Sequence, residues 1–366
     1  DTYGFPLDLT RDVGAEKDFV VDEEGFQDAL AEQRARGRAA QQFVDLEGEG
    51  LEIYARLAEQ LKAQGRLGPD GVEDLSRDAV EAETMVVGLL HSGEAVCRAR
   101  PGDEVEVVLA ATPFYAESGG QVSDVGLLSR YEGEEQEPRW EIEVLDMWQP
   151  VQGLIIHRGR VVQGWPKVDD PVWAIVDAER RMDIARNHTA THLLHSELRY
   201  ILGEHVQQAG SLVAPDRLRF DFTHGAMLTQ DQLDAVEQSV NDAILANYPL
   251  EAGFSTYQEA VAAGAMALCG EKYGEHVRVV KIGVPGDPFS QELCGGTHIH
   301  QTGDIGLFRI VSEGSVGAGV RRVEAVTGRA AQQLVRERLR VLDDAAIHLG
   351  SPPEEVDRAV LRLIGD

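Results

Sequence analysis

Apolar positions along this chain change their period twice, from helical spacing near the start to alternation in the middle, then back towards helical spacing at the end. After Pro6, whose ring suits a first helical turn, Phe26, Leu30 and neighbouring alanines form a stripe that predicts helix to about residue 43. Leu51 to Leu61 predicts a second helix, and Gly65 to Gly71 a connector. From about Val86 the period becomes two. Glu104 to Leu109, Trp140 to Leu145, Leu154 to His157 and Val172 to Val176 alternate or run apolar between Gly and Pro, which predicts the strands of a small β-barrel. The acidic run Glu132 to Glu137 reads as a surface loop. Arg180 to Leu202 reads as helix with a break near Asn187, and Leu218 to Phe222 as a strand. Thr229 is placed to cap an amphipathic helix carrying Leu233, Val236, Val240 and Ile244. Val277 to Ile282, Leu307 to Val311 and Arg322 to Val326 predict strands. From Gly328 the chain turns helical again, with Leu334, Leu339 and Leu342 beginning a longer arm. No internal repeat is visible. The predicted class is α+β with helical ends.

Composition narrows the picture only a little. The 366 residues suggest two or three structural units, and a 43% hydrophobic content is enough for real cores. No run approaches the apolar length of a membrane span, and no basic-then-apolar leader is present. A formal net charge of −29 argues against a general nucleic-acid coat but leaves room for local arginines. One such cluster, Arg34, Arg36 and Arg38, reads as a solvated helix face. Cys97, Cys269 and Cys294 are far apart and form no CxxC pair, which points to a reducing, cytoplasmic setting. A start at Asp1 without Met leads to the expectation of a longer parent chain.

The chemistry concentrates in two places. In the segment NHTATHLLH, His188, Thr191, His192 and His195 fall on one helical face, and two imidazoles one turn apart can grip one metal ion. Alone, that spacing is weak evidence. Cys294-Gly295-Gly296-Thr297-His298 adds a thiolate and an imidazole across a glycine-rich turn, completing an N/S set suited to tetrahedral zinc. Cys97 and Cys269 have no such neighbours and read as buried thiols. A zinc protease would need a carboxylate beside the first histidine, where this chain has Thr189, so that reading fails.

NHTATHLLH, HVQQAGSLV, LRFDFTH, ELCGGTHIHQTGDIGLF and GVRRVEAVTG together resemble the editing domain of alanyl-tRNA synthetases of bacterial type. TPFYAESGGQVSDVG (112–126) resembles that family's glycine-rich barrel motif, and DTYGFPLDLT (1–10) the end of its tRNA-recognition region. GEKYGEHVRVV (270–280) fits as well, with Cys269 the one departure, where an aromatic or aliphatic residue is expected. The resemblance implies a layout of 1–85 as the helical end of the recognition region with a linker, 86–170 as the barrel, 171–328 as a zinc-binding editing domain and 329–366 as the start of a helical arm. It implies one zinc ion per chain, on His188, His192, Cys294 and His298, with Thr191, Gln208 and Ser211 as catalytic residues. Arg321 becomes a candidate tRNA contact, and Gly119, Gly120 and Gln121 candidates for touching substrate. His195 is expected either as a partner of a zinc ligand or as a core histidine.

The implied partners are the acceptor end of tRNA(Ala) and a mischarged amino-acid ester, with no membrane and with oligomerisation elements beyond residue 366. The implied reaction follows from a problem of discrimination. A pocket for alanine cannot strongly reject glycine or serine, so a second site must hydrolyse the wrong ester. ATP-dependent activation of alanine is not expected, on the reading that no part of the chain resembles the activating domain. Two alternatives remain open: a free-standing deacylase of the same family, and a non-catalytic zinc module that binds RNA.

Overall fold

The computed structural model describes residues 49–133, 137–267, 273–317 and 319–365. The expected N-terminal helix, the arginines at 34, 36 and 38, and Cys269 lie outside those residues, as does the middle of the acidic run at 134–136. Contacts divide the chain into two units.

The first unit, residues 49–118, 122–181 and 315–321 among those described, is built on strands with the predicted alternation. Helix α1 (Glu49–Ala63) is followed by β1 (Glu73–Asp74), β2 (Glu81–His91), β3 (Glu94–Ala95), β4 (Glu104–Leu109) and β5 (Ala111–Thr112). Then come β6 (Gly126–Arg130), β7 (Trp140–Val151), β8 (Leu154–Gln163) and β9 (Pro171–Val176). β2, β4, β8, β7, β6 and β9 pair in that order, and β2 pairs again with β9, so six strands close a barrel and leave no long free edge. Val107, Leu109, Leu128, Ile142, Leu154 and Ile156 fill its interior. α1 packs on this core through Tyr54, Ala58 and Leu61, and the Tyr54 hydroxyl donates to Glu106 at 2.8 Å. β7 and β8 outrun the predicted strands: β7 continues past Leu145 through mostly half-buried positions, and β8 past His157 with buried and exposed positions alternating. Cys97 is exposed, correcting the expectation of a buried thiol: it lies just past β3, where Ala99 supplies the buried apolar side chain.

The second unit comprises residues 119–121, 182–314 and 322 onward. Its centre is α2 (Ala178–Leu202), from residue 182 on, against which β10 (Gln208–Val213) and β11 (Leu218–Thr223) lie as an antiparallel pair. Helices α3 (Gln230–Leu245) and α4 (Tyr257–Ala262) flank β12 (Leu250–Thr256), and β13 (His276–Val284) and β14 (Asp287–Leu293) follow. β15 (Phe308–Gly317), β16 (Val320–Thr327), α5 (Gly328–Leu349) and α6 (Val356–Gly365) complete the chain. One sheet runs β10-β11-β16-β15 and a second β12-β13-β14. Thr229 caps α3 as predicted: its hydroxyl accepts from the Gln232 amide, and the Gln232 side chain accepts from the Thr229 N–H.

Between Ile184 and Leu198, α2 is buried nearly all round. Ala190, Leu193, Leu194 and Leu198 are fully buried, and so close to it are His188, Thr191, His192 and His195. The predicted break near Asn187 does not occur, because its side chain caps nothing. Its amide donates to Ala214 O at 2.7 Å, and its Oδ1 accepts from Thr327 at 2.8 Å. Tertiary partners thus use the groups that would otherwise compete with the helical backbone. The observed class is mixed α and β, a closed barrel plus helices with a helical C-terminal end.

Candidate metal centre

The two histidine- and cysteine-bearing segments meet within the second unit. One donor atom each from His188, His192, Cys294 and His298 lie within 4.8 Å of one another. Cys294 Sγ is 3.3 Å from His188 Nε2 and 3.3 Å from His298 Nε2. Tetrahedral zinc, with bonds of about 2.0–2.3 Å, holds its donors roughly 3.3–3.8 Å apart. The Cys294–His188 and Cys294–His298 spacings match that geometry, and the four residues together could hold one metal ion.

Every imidazole in the cluster is held by its other nitrogen. His188 Nδ1 is 2.6 Å from Gln121 Oε1, His192 Nδ1 is 2.9 Å from Glu292 Oε2, and His298 Nδ1 is 3.1 Å from Thr189 Oγ1. Such partners hold the ring and its tautomer so that Nε2 keeps its lone pair. His192 Nε2 is buried with no hydrogen-bond partner, an orphan that an ion would satisfy. Thr189, whose presence excluded a protease, instead donates to Ala185 O at 2.9 Å and accepts from His298. Glycine at position 296 is required: a Cβ there would lie 2.1 Å from His188 Cε1 and 2.7 Å from Gln121 Oε1. Arg278 donates to the carbonyls of Cys294 (3.1 Å) and Gly296 (2.8 Å), pinning the turn that carries the thiol.

Burial and neighbouring charges set the protonation of the cluster in the absence of an ion. Burial pushes the Cys294 thiol up, but His188 and His298 beside it outweigh burial and hold it well below the usual thiol range. Burial would lower His192, yet Glu292 and Cys294 raise it to about 10. Burial and the neighbouring His188 push His298 down to about 3 against the pull of Cys294. Burial would raise Glu292, but His192 and His195 keep its carboxyl well below the ordinary range.

The remaining predicted residues divide. His195 Nδ1 lies 3.1 Å from Glu292 Oε1, so it shares the carboxylate that holds His192. Thr191 donates its hydroxyl to Asn187 O at 2.8 Å, one turn back. Gln208 Nε2 is 3.3 Å from Ser211 Oγ on β10, and a Cβ at Gly120 would sit 2.4 Å from that same oxygen. Gly119 is exposed, whereas Gln121 is fully buried against His188 and Thr297. Arg321 lies on β16 and belongs with residues 315–321 to the first unit, while the cluster belongs to the second. Glu292 and Arg278 escaped sequence reasoning. Glu292 stands two residues before Cys294, but nothing in its neighbourhood signals that it turns inward. Among the described residues no helix is long and apolar enough to cross a membrane.

A family model described as tRNA synthetases class II (A) matches residues 1–180. A second, described as the threonyl and alanyl tRNA synthetase second additional domain, matches residues 277–324, which include Cys294 and His298. Alanine--tRNA ligase of Desulforamulus reducens is 46% identical over 364 residues, covering 100% of this chain and 39% of that protein. The ligase of Chloroflexus aurantiacus is 45% identical over 374 residues, and that of Thermus thermophilus 46% over 370, each covering 100% of this chain and 40% of the relative. The chain thus spans about two fifths of the length of the relatives it matches. Similar to these ligases from end to end, it belongs to the alanyl-tRNA synthetase family.

Proposed function

We propose that this chain contains the editing region of an alanyl-tRNA synthetase, with residues 171–328 hydrolysing Ser-tRNA(Ala) and Gly-tRNA(Ala) at a zinc site formed by His188, His192, Cys294 and His298. The observation that carries the reading is the convergence of two segments 106 residues apart, with each imidazole tethered through Nδ1 and the thiol drawn towards thiolate. When bound, zinc supplies a fixed positive charge for the tRNA terminus or the amino-acid ester.

The chain's own residues do the discriminating. An aminoacyl ester is already activated, so its hydrolysis needs mainly orientation and an ordered water. Thr191 gives its proton to Asn187 O, which leaves its oxygen as an acceptor for the hydroxyl that serine has and alanine lacks. Gln208 and Ser211, bonded to each other beside Gly120, are assigned to hold the ester. Arg321 is assigned to tRNA phosphate, a contact whose strength falls as salt rises.

Thr191→Val tests the assignment, because it keeps the shape and removes the acceptor. A lost hydrogen bond of about 0.5–1.5 kcal/mol slows Ser-tRNA(Ala) hydrolysis about 2- to 12-fold. The rate on Ala-tRNA(Ala) rises relative to it, and zinc content is unchanged. Measuring both deacylation rates side by side decides the matter. An unmoved ratio reduces Thr191 to a residue that only bonds back along its helix.

A further inference from the structure

The amide of Gln121 is oriented by its surroundings without any assumption about hydrogens. The backbone N–H of Thr297 lies 2.9 Å from one end of the amide. A backbone N–H can only donate, so that end must be the oxygen, Oε1. The same oxygen lies 2.6 Å from His188 Nδ1. An oxygen already accepting from Thr297 has no proton to offer, so Nδ1 must carry the hydrogen. In the neutral ring Nε2 is then left with its lone pair, and it is Nε2 that lies 3.3 Å from Cys294 Sγ. The other end of the amide, Nε2 of Gln121, donates to Thr297 Oγ1 at 2.9 Å and prevents the group from turning over.

The glycines on either side make this packing possible. Gly120 adopts φ +83, a conformation that favours glycine, and any Cβ there would meet Ser211 O at 2.6 Å as well as Ser211 Oγ. That close approach lets Gly120 O accept from Val213 N at 2.7 Å, and Gln121 then bridges to Val213 in parallel. Gly296, on the opposite side, leaves the space that the His188 ring and the Gln121 oxygen occupy. Gln121 itself is 0% exposed.

We infer that Gln121 is a positioning residue: it locks His188 in the Nδ1–H tautomer and aims Nε2 into the Cys294–His298 cluster, and it does not touch substrate. It stands to His188 as Glu292 stands to His192 and Thr189 to His298, completing three tethers of different chemistry. Its consequence for metal rests on the zinc reading proposed above; its effect on the tautomer does not.

Two variants separate the possibilities. Gln121→Met keeps the length and loses the acceptor, and Gln121→Glu keeps an acceptor for both Thr297 N–H and His188 Nδ1–H. In metal-free protein at mildly alkaline pH, imidazole ¹⁵N shifts of His188 should report Nδ1–H in the wild type and in Gln121→Glu. They should report a shifted or mixed tautomer in Gln121→Met. Zinc affinity, measured by competition with a chromophoric chelator, should fall about 10- to 100-fold in Gln121→Met. In Gln121→Glu it should stay near wild type. An unchanged tautomer in Gln121→Met overturns the inference, and so does equal weakening of zinc by both variants, which would mean that the amide acts by packing alone. If Gln121→Met does not fold, an Nε2-protonated His188 in the wild type overturns it and an Nδ1-protonated one upholds it. If the wild type takes up no zinc, the zinc reading fails while the tautomer still decides the role of Gln121.

Discussion

Replacing Cys294 and His298 together by alanine is expected to lower zinc affinity by far more than 100-fold and to remove deacylation with it. The magnitude follows from comparison with outer partners, since loss of a residue that merely holds a metal ligand costs about 10- to 100-fold, and here two of four donors go. Structural zinc contributes an apparent ~10–16 kcal/mol to small domains that depend on it, so loss of half the donor set cannot be absorbed by the remaining histidines. The double variant also leaves His192 buried beside Glu292 with no thiolate near it. Elemental analysis together with Ser-tRNA(Ala) hydrolysis measures both effects. Stoichiometric zinc in the variant, or activity unaltered by its loss, contradicts the assignment.

The second large effect concerns stability of the barrel unit. Arg181, in the first turn of α2, is buried and binds the fully buried Asp124 through Nε at 2.9 Å and through Nη2. It also donates to Ser76 O at 2.5 Å and Pro113 O at 2.8 Å, while Asp124 accepts from the Tyr115 N–H at 2.7 Å. Asp124→Ala leaves a buried guanidinium without its counter-charge and an amide without its acceptor. The expected cost is about 3–5 kcal/mol. All four tryptophans, Trp140, Trp148, Trp165 and Trp173, belong to this unit, so their fluorescence during denaturation follows it selectively. An unfolding midpoint within error of wild type shows that the pair contributes little.

Local physics explains which features were legible in the sequence. Alternation marked the barrel strands because one face of each fills a closed interior, and Thr229 announced its helix through a cap that needs only neighbours. His188 and His192 were visible because helical spacing alone puts them one turn apart, and the CGGTH turn brought Cys294 and His298 together in the same way. What joined the halves could not be read locally. Glu292, Gln121 and Arg278 acquire their roles only from partners distant in sequence. Asn187 misled for the same reason: an Asn at the head of an apolar run suggests a cap, but Ala214 and Thr327 claim its side chain. Strand β12 went unseen because most of its residues are exposed and show no buried alternation.

Incubating the purified, zinc-loaded chain with Ser-tRNA(Ala) and following the release of serine tests the central claim most directly. The expected result is release well above the spontaneous rate, faster than release of alanine from Ala-tRNA(Ala), and lost when zinc is stripped. Serine release that stays at the enzyme-free rate, in protein that holds zinc and binds tRNA, would contradict it and leave a module that binds RNA without editing.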